Sequence, residues 1–488
     1  MMSDLAKATG MDEFVDYDAI GLMELIKKGE VTASELLEVF ISRADKLKHH
    51  INAVNIEYYD VARERAAHLT KDTPFAGVPI LVKDMVDIGH LIGTDCSNSK
   101  SDYPTIPVPY TQAVESIGLN IFGRTNSPEF ASSFNTWNER FGLTRNPWDP
   151  EKTVFGSSGG SSAAVAAGIA PLALGTDGAG SNRVPPNACG VFGFKPSRGR
   201  LLAGETGGVH DLIKTHSGIS RSVRDNEMLF YHTQDLRNPL FKPFTLRSRA
   251  KESQKLRIGY IREGLPGYAV DPRIMKKQDK VAELCRSLGH DVVEVDLKID
   301  GELYFQRYHS FYMPKFTSLA QQILDNKPSY NNEIMNILEL TYLTRTNAVY
   351  GKKFTQQQVV EAEKYLLNDI PQVFEQLFDQ YDVLLSAVCP IQTQNVGFIN
   401  PMRDSFVEKA NITNTISSLT SLSNICGHPS MSVPLSSIRN EESGIKMPLG
   451  SMFQAKSGDE EILYELAYSL ESAKPWANKW PAISVKHL

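Results

Sequence analysis

One segment constrains this chain more than any other: FGSSGGSSAAVAAGIAPLALGTDGAGSNR, from Phe155 to Arg183. It sets two serine clusters in two glycine-rich turns and joins them by an apolar run, Ala163 to Leu174, that demands burial. Flexible glycine–serine linkers are polar throughout, so the apolar run argues against a linker. A phosphate cradle would need G-x-x-x-x-G-K-[ST], or G-x-G-x-x-G after a strand, and neither pattern occurs here. Glycines beside a serine instead let the backbone take positive φ and approach a substrate. Successive amides in such a turn converge on a developing oxyanion. Gly178-Ala179-Gly180-Ser181 is a turn of this kind, and Asp177 before it is placed to bond nearby backbone amides.

A serine hydroxyl is a poor nucleophile near neutral pH and needs a base, most often histidine. None of the 11 histidines falls inside the segment. His90, His216 and His428 read as surface or core residues, and the G-x-S-x-G elbow of the α/β-hydrolases is missing. Lys83, in GVPILVKD from Gly77 to Asp84, is the candidate. Val78 to Val82 reads as a buried strand, which puts the lysine at the edge of the core. Desolvation there lowers an ammonium pKa toward neutrality and frees the amine to act as a base. The alternative for Lys83 is an ion pair with Asp84 or Asp87 at the strand end.

The block from Gly156 to Pro196, with GVPILVKD upstream, resembles the amidase signature family of Ser–Ser–Lys amide hydrolases. The likeness extends to Ser217–Asp225, to Leu419–Pro434, and to Gly458–Ala467 with Pro475-Trp476. The resemblance implies Ser181 as nucleophile, Ser157 as the bridging serine that follows a cis peptide, and Lys83 as base. It implies oxyanion donors from Gly178, Ala179 and Gly180 with Ser181, and Ser158, Asp177 and Arg183 as supports locking the two turns together. Neutral Lys83 would draw a proton through Ser157 while Ser181 attacks, giving an acyl-enzyme that water hydrolyses. Phe130, Ala131, Ser132 and Ser133 align with a substrate-contacting segment of relatives. Two departures stand out. Ala179 occupies a place where glycine is commoner, so its backbone must accept a Cβ. Asn182 replaces an apolar residue and either reaches toward the pocket or bonds the turn.

The fold so implied is α/β, a single large α/β/α domain with a central mixed β-sheet covered by helices on both faces. Residues 1–75 are expected as an N-terminal helical segment packed on the core, and 76–488 as the amidase signature domain, the two forming one continuous catalytic unit. The activity implied is hydrolysis of a carboxamide or secondary amide, with no cofactor and no metal. The alternatives are amide-bond formation by aminolysis of the same acyl-enzyme, as in a secondary-metabolite (colibactin-type) pathway, a glutamine amidotransferase subunit, or an inactive binding protein.

Composition agrees with an ordinary globular protein: 488 residues, 41% hydrophobic and 22% charged. A net charge of −6 argues against nucleic-acid binding. Five scattered cysteines, Cys96, Cys189, Cys285, Cys389 and Cys426, point to reduced thiols and a cytoplasmic protein. Met1 to Lys7 lacks the apolar core of a signal peptide, and no stretch reaches the ~20 apolar residues of a membrane span. Asp18 to Lys28 reads as a helix ended by Gly29, and Thr32-Ala-Ser-Glu35 as a capping box opening a helix toward Lys48. That second helix is expected to pack on the core, with a homodimer interface as the alternative. Ala53–Glu57, Arg257–Ile261, Asp291–Val295 and Val383–Val388 read as strands, Asp60–Leu69 and Asp271–Leu288 as helices, and Arg247–Lys255 as an exposed crossing. Helical patterns fill much of Glu302–Phe378. By the resemblance, substrate selection is expected from parts of Leu303–Tyr350, a segment rich in aromatic residues (Phe305, Tyr308, Phe311, Tyr312, Tyr342 and Tyr350), and of Gln392–Phe406.

Overall fold

In the computed structural model, which describes residues 13–100, 108–202, 212–246 and 254–487, eleven strands form one mixed sheet. In chain order they are β1 (Val54–Glu57), β2 (Pro79–Lys83), β3 (Asn120–Thr125), β4 (Leu172–Asp177), β5 (Phe192–Lys195), β6 (Thr215–Ser220), β7 (Arg257–Ile261), β8 (Asp291–Glu294), β9 (Val383–Ala387), β10 (Ser430–Arg439) and β11 (Lys446–Ala455). Their spatial order is β1-β3-β2-β4-β6-β5-β10-β11-β9-β7-β8. Strands β3, β2 and β4 run parallel, as do β9, β7 and β8 at the other end. Antiparallel pairs join the two ends through β6, β5, β10 and β11. The expected readings of Met1–Lys7 and of most of Arg247–Lys255 lie outside the described residues.

Alternation along the strands creates two cores. Val383 and Leu385 enter one apolar cluster and Leu384 the other; Phe453 and Ala455 enter the first and Met452 the second. Both faces of the sheet are therefore covered, which is why β2, β4, β6 and β9 are buried at every residue. The first core takes Leu22, Leu36 and Phe40 from the helices Ala19–Lys28 and Ala33–Ile51, and Leu463 and Tyr464 from Glu460–Ala473. The second takes Tyr304, Phe305 and Tyr308 from Gly301–Tyr312, and Ile370 and Phe374 from Ile370–Phe378.

Local signals act as their chemistry dictates. Asp18 accepts the Gly21 amide at 2.9 Å to open the first helix, and Gly29 closes it at φ 75°. Thr32 and Glu35 form the reciprocal capping box. The helix they open runs past Lys48 to Ile51, where Asn52 turns left-handed at φ 54°. The helical stretch over Glu302–Phe378 is interrupted: between helices Pro314–Asn326 and Tyr342–Gly351 the chain makes only short 3₁₀ turns, Pro328–Tyr330 and Ile334–Asn336, with positive φ at Asn331 and Asn332. No helix of the described residues is long and apolar enough to cross a membrane.

Candidate active site

Because β2 and β4 are parallel neighbours, paired Val82 to Leu174, their carboxyl ends open on the same edge of the sheet, where α/β folds place their ligands. Lys83 is the last residue of β2 and Asp177 the last of β4. The turn before the helix Gly159–Ala167 brings Ser157 to this edge, and the turn after β4 brings Ser181. Both lie within the buried interior, Ser157 at 2% exposure and Ser181 at 8%. The Gly156–Ser157 peptide is cis.

The three side chains form a continuous path. The Lys83 amine donates to Ser157 Oγ at 2.6 Å, and Ser157 Oγ donates to Ser181 Oγ at 2.8 Å. A second bond from Lys83, to Thr176 Oγ1 at 2.9 Å, fixes the amine. Burial pushes the Lys83 pKa down to about 7; the field of Asp177 opposes this and that of Lys214 reinforces it. The ion-pair alternative for Lys83 does not occur with Asp84, whose carboxylate faces the other way and accepts the amides of Thr94 and Cys96.

Asp177 organises the second turn. Its carboxylate forms a bidentate pair with Arg183, both bonds at 2.9 Å, with both side chains fully buried. Burial would raise this carboxyl, but the charge and hydrogen bonds of Arg183 outweigh it and hold the pKa at about 2. Asp177 also accepts the amides of Gly180 at 2.7 Å and Asn182 at 3.0 Å. The expectation for Gly180 needs correction on this point, because its amide is turned inward to Asp177. The cleft is lined instead by Gly178, Ala179 and Ser181. Gly180 is required for conformation: its φ is 126°, and a Cβ would come within 2.4 Å of Thr420 Oγ1. Ala179, by contrast, is absent from the positive-φ residues, so its methyl is tolerated.

Asn182 bonds the turn and does not reach the cleft. Its Oδ1 accepts from Ser158 Oγ at 3.0 Å, and it sits so close to Gly175 that a Cβ there would meet it at 2.1 Å. Ser158 thereby ties the first turn to the second, with a further bond to the Thr176 carbonyl at 3.2 Å. Of the substrate-contacting segment, Ala131, Ser132 and Ser133 line the cleft. Phe130 does not; it turns into a separate apolar cluster with Phe316 and Leu340. Among the six aromatic residues singled out, Phe305, Tyr308 and Tyr312 line the cleft, whereas Phe311 is core.

Several residues of the site carried no sequence signal of their own. Thr176 anchors Lys83. Thr420 donates to the Ala179 carbonyl at 2.7 Å, and Asn424 donates to both the carbonyl and the carboxylate of Asp177 at 3.0 Å. Lys214 and Asn414 also line the cleft, as do His309 and Phe406, which fall in the two segments expected to select the substrate. His216 and His428 are buried elsewhere, His216 stacked on Tyr110 and His428 edge-to-face with Phe378, and burial holds His428 neutral, its pKa lowered to about 3. Burial also raises the Cys389 thiol to about 12 and Cys426 further, which removes both as nucleophiles.

A serine pair joined to a buried, near-neutral lysine defines a class of acyl-transfer site, and comparison with known proteins gives the class its family. The family model described as Amidase matches residues 35–464. The 6-aminohexanoate-cyclic-dimer hydrolase of Paenarthrobacter ureafaciens is 30% identical over 493 residues, with 96% of each chain covered. Among solved structures, a 6-aminohexanoate cyclic dimer hydrolase superposes with a TM-score of 0.85 at 27% identity, covering 96% of this chain and 99% of the other. A bacterial aryl acylamidase shares the fold, with a TM-score of 0.84 at 24% identity over 96% and 98% of the two chains. The chain belongs to the amidase signature family and is an enzyme that hydrolyses amides. An inactive binding protein is thereby set aside.

Proposed function

We propose that Ser181 attacks the amide carbonyl of a small-molecule substrate and that the resulting acyl-enzyme is hydrolysed by water. Neutral Lys83 takes the proton of Ser157 as Ser157 takes that of Ser181, so the alkoxide forms only as the carbonyl is attacked. The amides of Gly178, Ala179 and Ser181 receive the oxyanion, and Ser157 hands the proton to the departing amine. Lys83 replaces that proton on Ser157 and is neutral again; it then takes a proton from the attacking water through Ser157 and returns it to Ser181 as the acid leaves. The observation that carries this reading is the unbroken run of 2.6 Å and 2.8 Å contacts from an amine with a pKa of about 7 to the attacking oxygen.

An amide of moderate size with a hydrocarbon segment next to the scissile bond suits the cleft, whose wall includes Phe134, Phe305, Met313 and Phe406. The relatives that cleave a cyclic amide dimer support the same substrate class. A fluorophosphonate probe is expected to label Ser181, with labelling abolished in Ser181→Ala and kept in Ser469→Ala. Label found on another serine would overturn the reading. Incubating an acyl donor with added amines and measuring acid against amide product reports which acceptor takes the acyl group, and the free acid is the product expected.

A further inference from the structure

The cleft beside Ser181 has a charge that the acyl-transfer chemistry does not require. Its lining includes a lysine, Lys214, and among the described residues no aspartate or glutamate. Lys214 is half-buried just ahead of β6, and no described residue forms a hydrogen bond or ion pair with its ammonium. Asp177, which pairs with Thr215 next to Lys214 across β4 and β6, is already committed to Arg183. The positive field is felt around the cavity: it helps lower Lys83, and after burial it is the next cause holding Lys315 well below an ordinary lysine. Lys315 lies behind the wall, 3.8 Å from the ring centre of Tyr312, which itself faces the cleft.

A second donor lines the same cleft. Tyr308 lines the cleft at 6% exposure, and its hydroxyl has no partner among the described residues. A buried hydroxyl without a partner is costly, and in a binding cleft the substrate supplies the missing bond. Burial raises the phenol pKa well above its usual value, so the group stays protonated and donates. Of the neighbouring polar groups, His309 Nε2 is bonded to Asn414 Oδ1 at 3.0 Å, and the Asn414 amide to Tyr268 at 3.3 Å. An ammonium and a buried hydroxyl in one cleft, neither with a partner among the described residues, call for an acceptor carrying a single negative charge. A neutral amide or hydroxyl would satisfy Tyr308 and leave the ammonium uncompensated.

We propose that Lys214 and Tyr308 bind a carboxylate carried by the acyl portion of the substrate, so that this enzyme acts on monoamides of dicarboxylic acids. The inference rests on the assignment of Ser181 as nucleophile. The apolar residues between the two polar ends, Phe305 and Met313 among them, suit the methylene chain that separates the scissile amide from the carboxylate.

Protection of Ser181 from fluorophosphonate labelling tests this without requiring turnover. Succinamic, glutaramic and adipamic acids are compared with their methyl esters, which keep the shape and remove the charge. In the wild-type enzyme at least one acid of the series should protect at about ten- to a hundredfold lower concentration than its ester, the range expected for a charge-assisted hydrogen bond. Lys214→Met should collapse that ratio and Tyr308→Phe should reduce it. The proposal is overturned if acids and esters protect equally, if neither protects, or if Lys214→Met leaves the ratio intact. Failure of the probe to label wild-type Ser181 would count against the nucleophile assignment instead, so the two failures are distinguishable.

Discussion

An ordinary lysine, with a pKa of 10.5, is a cation at neutral pH and has no lone pair to offer. Burial brings Lys83 to about 7, so the neutral amine is the minor form below that pH and the major form above it. kcat/KM should therefore rise with pH through about 7 and level off. Lys83→Met should lose about 10²–10⁴ in rate together with this rise, and Lys83→Arg, cationic at every accessible pH, should not restore it. Rate profiles of the three proteins decide the matter; a wild-type midpoint retained in Lys83→Met would move the base elsewhere. The sequence made these residues legible because a serine pair in a glycine-rich turn and a lysine ending a β-branched strand are local patterns. It did not make the direction of the Gly180 amide legible, nor the side Asn182 would take. Those depend on the Asp177 carboxylate and the Ser158 hydroxyl, which reach them only in the folded chain.

The short helix Thr420–Cys426 shows the same limit at the level of an element. It is buried almost throughout, yet Thr420, Ser421, Ser423 and Asn424 are polar, so each needs a partner inside the protein. Ser421 accepts from Tyr304 at 2.8 Å and Ser423 donates to Gln454 at 2.9 Å, while Thr420 and Asn424 hold the turn around Ser181. The segment stood out in the sequence as part of a family pattern, but its polar residues share one face opposite Leu422 and Ile425, a pattern that reads as an ordinary exposed face and not as a buried set of partners. Strand and helix positions with strong alternation or capping, such as β2 and the Thr32 box, were legible for the opposite reason. Two substitutions separate the functions of this helix. Thr420→Val keeps the volume and frees the Ala179 carbonyl, and should lower kcat about ten- to a hundredfold by loosening the oxyanion turn with little change in Tm. Asn424→Ala strips a partner from the buried Asp177–Arg183 pair and should cost about 1–3 kcal/mol of stability, read as a fall in Tm. A Thr420→Val enzyme with full kcat would show that the helix only fills space.

Across the whole molecule, the charges that serve the site are buried where the two halves of the sheet meet, and this makes stability depend on pH. Lys195, at the end of β5, is fully buried and donates to the Pro196 carbonyl at 2.7 Å. Burial, reinforced by Arg183 and opposed by Asp177, pushes its pKa down to about 7. Between that value and the 10.5 of an unfolded lysine, the unfolded chain holds a proton that the folded one lacks. Stability therefore rises with pH across this window, and below about 7 the penalty is constant because both states are charged. Lys83 acts in the same sense. Asp177, held at about 2 against an ordinary 3.8, contributes stability that is present at neutral pH and lost only as the pH falls from about 4 toward 2. Above about pH 9 the thiols raised in the fold, such as Cys389 at about 12, reverse the trend, because only the unfolded chain loses their protons. The informative interval is thus about pH 7 to 9, where Lys195→Met should remove about 1.4 kcal/mol per pH unit from the slope of stability against pH. Urea unfolding of wild type and variant across that interval measures the difference directly, since contributions from Lys83 and the thiols are common to both. Parallel curves would mean that Lys195 keeps its proton in the folded protein, bound by Asp177 in spite of Arg183.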